Sequence, residues 1–139
     1  MKKIAIIEDD QAISQMYRMK FENEGYEVET AENGEVGLEL IKKMKPDIIL
    51  LDVMMPIMNG DEMLAKLRNE PWGKDTKVII LTNIGEQELP KSLSSLDVLD
   101  IMMKAELTPR QVAETVKKAL DNISGKLLSN QIRENSQQA

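Results

Sequence analysis

Short apolar runs that alternate with helix-like stretches constrain this chain more than any other feature. Lys3 to Ile7 is brief, β-branched and apolar at nearly every position, as a strand covered on both faces must be. Asp47 to Leu51 is the strongest strand signal, Val78 to Leu81 is another, and weaker ones lie near Glu27–Ala31 and Val98–Met102. Between them, helical spacing recurs over Gln11–Asn23, from about Glu35 to Met44, over Asp61–Asn69 and weakly near Glu86–Ser94. Gly25 is placed to stop the first helix, and Pro46 lies where the second cannot continue. Thr108, Pro109 and Gln111 have the capping-box pattern that opens a last helix carrying Val112, Val116 and Leu120. Five strand–helix pairs in alternation predict an α/β fold on a parallel sheet with right-handed crossovers. Residues 1–121 are expected to form this domain, and 122–139 a polar tail that extends the last helix or is disordered.

Composition then removes chemistries. The 139 residues include no histidine and no cysteine, so a histidine base, a thiolate nucleophile and ordinary zinc or haem sites are excluded. The net charge of −6 argues against direct binding to nucleic acid or an anionic membrane, and is compatible with a cation site. No apolar run reaches the roughly 18–20 residues of a membrane span, and no signal-peptide core is present, so a cytoplasmic protein is expected.

In an open parallel sheet, ligands bind beyond the carboxyl ends of the strands. Those ends read Glu8-Asp9-Asp10, Asp52, Thr82 and Lys104. A lone aspartate there is as often a helix cap, and Asp10 is placed to be one. Several carboxylates converging at one edge repel each other unless a cation or a raised pKa relieves them. An all-oxygen site with open positions suits Mg²⁺.

The motifs Ile6-Ile7-Glu8-Asp9-Asp10, Asp47 to Asp52 followed by Met55-Pro56 and Asn59-Gly60, Ile79 to Thr82, and Met102-Met103-Lys104 resemble the response-regulator receiver domains over residues 2–120. That resemblance implies a CheY-like, flavodoxin-like (βα)5 doubly wound sandwich with a five-stranded parallel sheet of order 2-1-3-4-5. By the same resemblance, Asp52 is the phospho-acceptor of a two-component phosphorelay. Glu8, Asp9, Asp52 and the Met54 backbone carbonyl hold Mg²⁺ (or Mn²⁺), while Thr82 and Lys104 contact the phosphoryl group. The donor is a histidine kinase or phosphotransfer protein. The signal passes to a downstream protein, with phosphorylation-dependent homodimerisation as a further expectation. Such a domain is no enzyme beyond its own phosphorylation and slow dephosphorylation.

Several positions depart from the family pattern. Ala105 stands where the family usually has a cis-joined proline, and cis geometry before a non-proline residue costs about 2.5–4 kcal/mol. Ile101 replaces a common switch aromatic, and Asn83 a common small residue. Met54 and Ile84, at positions that tune dephosphorylation, cannot orient an attacking water, so a long-lived phosphoryl group is expected. Of the 10 methionines, the cluster Met54, Met55, Met58 and Met63 is expected to fill the core, and Trp72 to anchor a loop. Competing readings are an α/β phosphatase, disfavoured because Met54 stands where its second acid should be, a phosphorylation-independent pseudo-receiver, and the receiver fragment of a larger DNA-binding regulator. The length predicts output by protein contact.

Overall fold

The computed structural model describes residues 1–121, so the expectations for 122–139 lie outside the described residues. Strand β1 (Lys3–Ile7) leads to α1 (Gln11–Asn23), β2 (Glu27–Ala31), α2 (Gly34–Met44), β3 (Ile48–Leu51) and α3 (Gly60–Arg68). Then come β4 (Lys77–Thr82), two 3₁₀ turns (Glu86–Glu88 and Lys91–Ser95), β5 (Asp100–Met103) and α4 (Pro109–Asp121). All neighbouring strands pair in parallel, in the order β2-β1-β3-β4-β5, as the family resemblance implied.

Strand alternation divides the core into two layers. Ile4, Ile6, Ile48, Leu50, Ile79 and Leu81 face α1 and α4, where they meet Tyr17, Phe21, Val112 and Val116. Ala5, Ile7, Ile49, Leu51, Val78 and Ile80 face the other way, toward Ile41, Met63, Leu64 and Leu67 of α2 and α3. Covering both faces explains why the strands are continuous apolar runs, and each buried Ile, Leu or Val side chain among them contributes about 1.5–3 kcal/mol.

The helix ends follow the local chemistry of their residues. Asp10 accepts a hydrogen bond from Ile13 N–H at 3.1 Å and caps α1, while Asn33 caps α2 through Val36 N–H at 2.9 Å. Gly25 follows α1 with φ of +93°, a backbone that glycine adopts without strain. Gln111 N–H donates to Thr108 Oγ1, and Thr108 N–H donates to Gln111 Oε1, completing the expected capping box.

One expected element differs. The segment expected as a helix near Glu86–Ser94 forms two 3₁₀ turns. Pro90 lacks an N–H and disfavours helical backbone in the residue before it. The Ser94 and Ser95 hydroxyls donate to the carbonyls of Lys91 and Ser92, each at 2.9 Å, which competes with α-helical bonding. The segment still buries Leu93 against the α2/α3 layer, with Leu89 and Leu96 packed beside it. The methionine expectation also holds only in part. Met63 and Met55 are buried and Met58 half-buried, but Met54 is 59% exposed. Trp72 packs against the α2/α3 layer. No described helix is long and apolar enough to cross a membrane.

Candidate functional site at the carboxyl edge of the sheet

Backbone pairing sets the two buried carboxylates. Glu8 N–H donates to Ala31 O at 2.9 Å and Asp52 N–H donates to Ile7 O at 3.0 Å, so both residues extend the sheet by one step. The sheet therefore sets their adjacency. Glu8 is 5% exposed and Asp52 8% exposed. Asp9 turns to solvent, and Asp10 serves as the α1 cap. The acidic run thus splits by role. Oxygens of Glu8, Asp9 and Asp52 lie within 4.8 Å of one another, the one such group among the described residues.

Lys104 approaches from β5. Its N–H donates to Thr82 O at 2.8 Å, keeping the strand end attached to β4. Its Nζ donates to Glu8 Oε2 at 2.7 Å and stands 3.5 Å from Asp52 Oδ2. Asp52 Oδ1 accepts Val53 N–H at 2.8 Å. Burial, with a smaller push from the Asp52 charge, outweighs the Lys104 hydrogen bond and raises the Glu8 carboxyl from 4.5 to about 7. Three carboxylates against one lysine leave excess negative charge in a poorly solvated cleft. This all-oxygen donor set fits a hard divalent cation that keeps several waters, as Mg²⁺ does.

Thr82 is fully buried one step beyond Leu81, and its Oγ1 accepts Ile84 N–H at 3.3 Å. Asn83 is exposed, while Ile84 and Ile101 are half-buried against the α2/α3 layer. Ala105 is exposed, and no peptide bond among the described residues is cis, so the Lys104–Ala105 bond is trans. Met54 lies in the loop two residues after Asp52.

In the sequence Gly60 stands out only as part of the Asn59-Gly60 motif. A Cβ there would collide with the Asp52 carbonyl oxygen and come within 3.0 Å of Val53 Cα. Gly60 N–H also donates to Val53 O at 2.8 Å. This close backbone approach fixes how the loop leaves Asp52, and the Asn-Gly pair before a helix was its only signal.

Residues 4–117 match the family described as the response regulator receiver domain. The chain is 32% identical over 131 residues to the phosphate regulon transcriptional regulatory protein PhoB of Rhizobium meliloti (strain 1021), covering 94% of this chain and 57% of that protein. It is 34% identical over 119 residues to the alkaline phosphatase synthesis transcriptional regulatory protein PhoP of Bacillus subtilis (strain 168), covering 86% and 48%. The chain thus spans about half the length of these curated relatives. A CheY-like receiver domain from Methanospirillum hungatei JF-1 superposes with a TM-score of 0.79 at 31% identity, covering 87% of this chain and 94% of that one. The response regulator TrrA of Thermotoga maritima, solved in complex with Mg(2+)-BeF, gives 0.74 at 31% identity, with 85% and 98% covered. Family, relatives and fold agree: this chain belongs to the response regulator receiver domains, signalling modules of two-component systems that bind Mg²⁺ at an acidic pocket.

Proposed function

We propose that Asp52 accepts a phosphoryl group from a phosphohistidine on a partner kinase or phosphotransfer protein. The convergence of the Glu8, Asp9 and Asp52 oxygens within 4.8 Å, with Lys104 beside them, carries this reading. The Thermotoga maritima relative in complex with Mg(2+)-BeF supports it. Glu8, Asp9, Asp52 and the Met54 carbonyl would hold Mg²⁺ or Mn²⁺. When bound, that cation offsets the negative charge shared by Asp52 and the phosphoryl oxygens.

In the transfer, an Asp52 carboxylate oxygen forms a bond to phosphorus as the phosphorus–nitrogen bond breaks. The electron pair leaves with the donor imidazole, which takes its proton from water. The step needs mainly in-line positioning and charge neutralisation, which suits a carboxylate held by the sheet. Lys104 supplies a compact positive charge on the β5 side. The Thr82 hydroxyl, held by Ile84 N–H, exchanges that contact for a phosphoryl oxygen and draws the loop after β4 inward. A downstream protein then reads the population shift on the face built by β4, the 3₁₀ segment and β5. Ile101 and the trans Lys104–Ala105 bond make that read-out differ from an aromatic-rotamer switch.

Incubation with Mg²⁺ and acetyl phosphate, followed by intact-mass measurement, tests the proposal. A single phosphoryl adduct on wild type, absent from Asp52→Ala and persisting for minutes without a phosphatase, is expected. An equal adduct on Asp52→Ala, or none on wild type, contradicts it.

A further inference from the structure

Between Asp52 and α3 the chain makes a three-residue turn. The Pro56 carbonyl accepts Met58 N–H at 2.6 Å, and Ile57 between them has φ of +68°. This is the strained hand of such a turn. It is costliest for a β-branched residue, whose substituents crowd the following carbonyl. Ile57 gains no burial in return, since it is 76% exposed. Three residues earlier, Met54 is also exposed. Scattered exposed apolar side chains are ordinary, but one held at a strained backbone stabilises neither its turn nor the core.

The loop is closed beside Asp52 and tied to the start of α2. Gly60 N–H bonds Val53 O at 2.8 Å beside Asp52, and Gly34 N–H at the start of α2 bonds Met58 O at 3.2 Å. Exposed carboxylates flank it: Asp9 after β1, and Glu32 and Glu35 on either side of the α2 cap. We propose that Met54 and Ile57 form an apolar contact ridge for the phosphoryl donor, a protein whose phosphohistidine stands among apolar side chains bordered by lysine or arginine. This rests on the acceptor reading of Asp52. The chain has no histidine, so the phosphorus must arrive from outside. Asp52 is only 8% exposed, so a protein donor that reaches its carboxylate must lie against the adjoining loop. The acidic flank selects a basic rim, and a two-residue ridge suits a brief encounter.

The test uses two donors on the whole chain: acetyl phosphate, and a purified histidine-kinase core autophosphorylated with ATP and chosen from a panel as the fastest donor to wild type. Ile57→Asn removes the apolar contact while keeping a residue that tolerates left-handed backbone. It should melt no lower than wild type, accept from acetyl phosphate at the wild-type rate, and lose about tenfold or more in kcat/KM from the kinase core. Ile57→Leu should keep most of that transfer. Wild-type transfer from the core to Ile57→Asn would overturn the proposal. So would equal slowing with both donors, which places the effect in the site itself. A wild-type chain that acetyl phosphate cannot label fails the acceptor reading first, and the ridge falls with it.

Discussion

Lys104 binds Glu8 more closely than it binds Asp52, with Nζ at 2.7 Å from Glu8 Oε2 and 3.5 Å from Asp52 Oδ2. The lysine is therefore shared between carboxylates that leave β1 and β3, and its shorter contact is not to Asp52, the proposed acceptor. A cation held by Glu8, Asp9 and Asp52 would compete with Lys104 for the Glu8 carboxylate. Cation binding would then favour Lys104 moving toward Asp52.

The Glu8 carboxyl, raised by burial from 4.5 to about 7, makes folding depend on pH. Because the folded value lies above the unfolded one, its contribution is full below about 4.5 and is lost as pH rises through about 7. Urea unfolding in chelator should show stability falling across that window by on the order of 3 kcal/mol. Glu8→Gln should flatten the fall. A wild-type curve that climbs through the window contradicts the assignment.

Asp9 adds charge to the same cleft from its exposed side. Asp9→Asn should raise the melting temperature in chelator by a few degrees at low salt, with less gain at high salt, while weakening Mg²⁺ binding. Calorimetry with and without Mg²⁺ reads both. A lower melting temperature in chelator would count against carboxylate repulsion.

Gly60 and Gly85 form a matched pair. A Cβ at Gly60 meets backbone that cannot yield, whereas a Cβ at Gly85 meets nothing within 4 Å. Gly60→Ala should cost about 2–3 kcal/mol and slow labelling of Asp52, with Gly85→Ala near neutral. Equal effects in denaturant titrations would rule out the close approach.

Arg68 ties α3 to two loops. Its guanidinium donates to the carbonyls of Leu96, Gly73, Thr76 and Asp97 at 2.9, 3.0, 2.7 and 2.8 Å, with a longer bond to Lys74 at 3.3 Å. A lysine cannot span that fan, so Arg68→Lys should cost about 2–3 kcal/mol. Hydrogen exchange should quicken at the end of the 3₁₀ segment. Unchanged exchange there would show that the fan does not hold it.

The positions of Glu8, Asp52, Thr82 and Lys104 were legible because a parallel sheet puts strand ends together, and apolar runs mark where strands end. The caps at Asp10 and Thr108 were legible for a similar reason, since capping is a local affair of three or four residues. The helix expected near Glu86 failed because Leu89, Leu93 and Leu96 have helical spacing, while Pro90 and the serine hydroxyls favour a tighter turn. What no local pattern encodes is long-range. The Lys104–Glu8 pairing spans the sheet, the Arg68 carbonyls come from two separate loops, and the loop that carries Ile57 is tied through Met58 to the start of α2.

Phosphorylation of Asp52 can be mapped directly. Borohydride reduction of the acetyl-phosphate-treated chain, followed by peptide mapping, converts an aspartyl phosphate to homoserine and so marks its position. Homoserine is expected at position 52 alone, dependent on Mg²⁺. Homoserine at Asp9 or any other carboxylate, or at none, would contradict it.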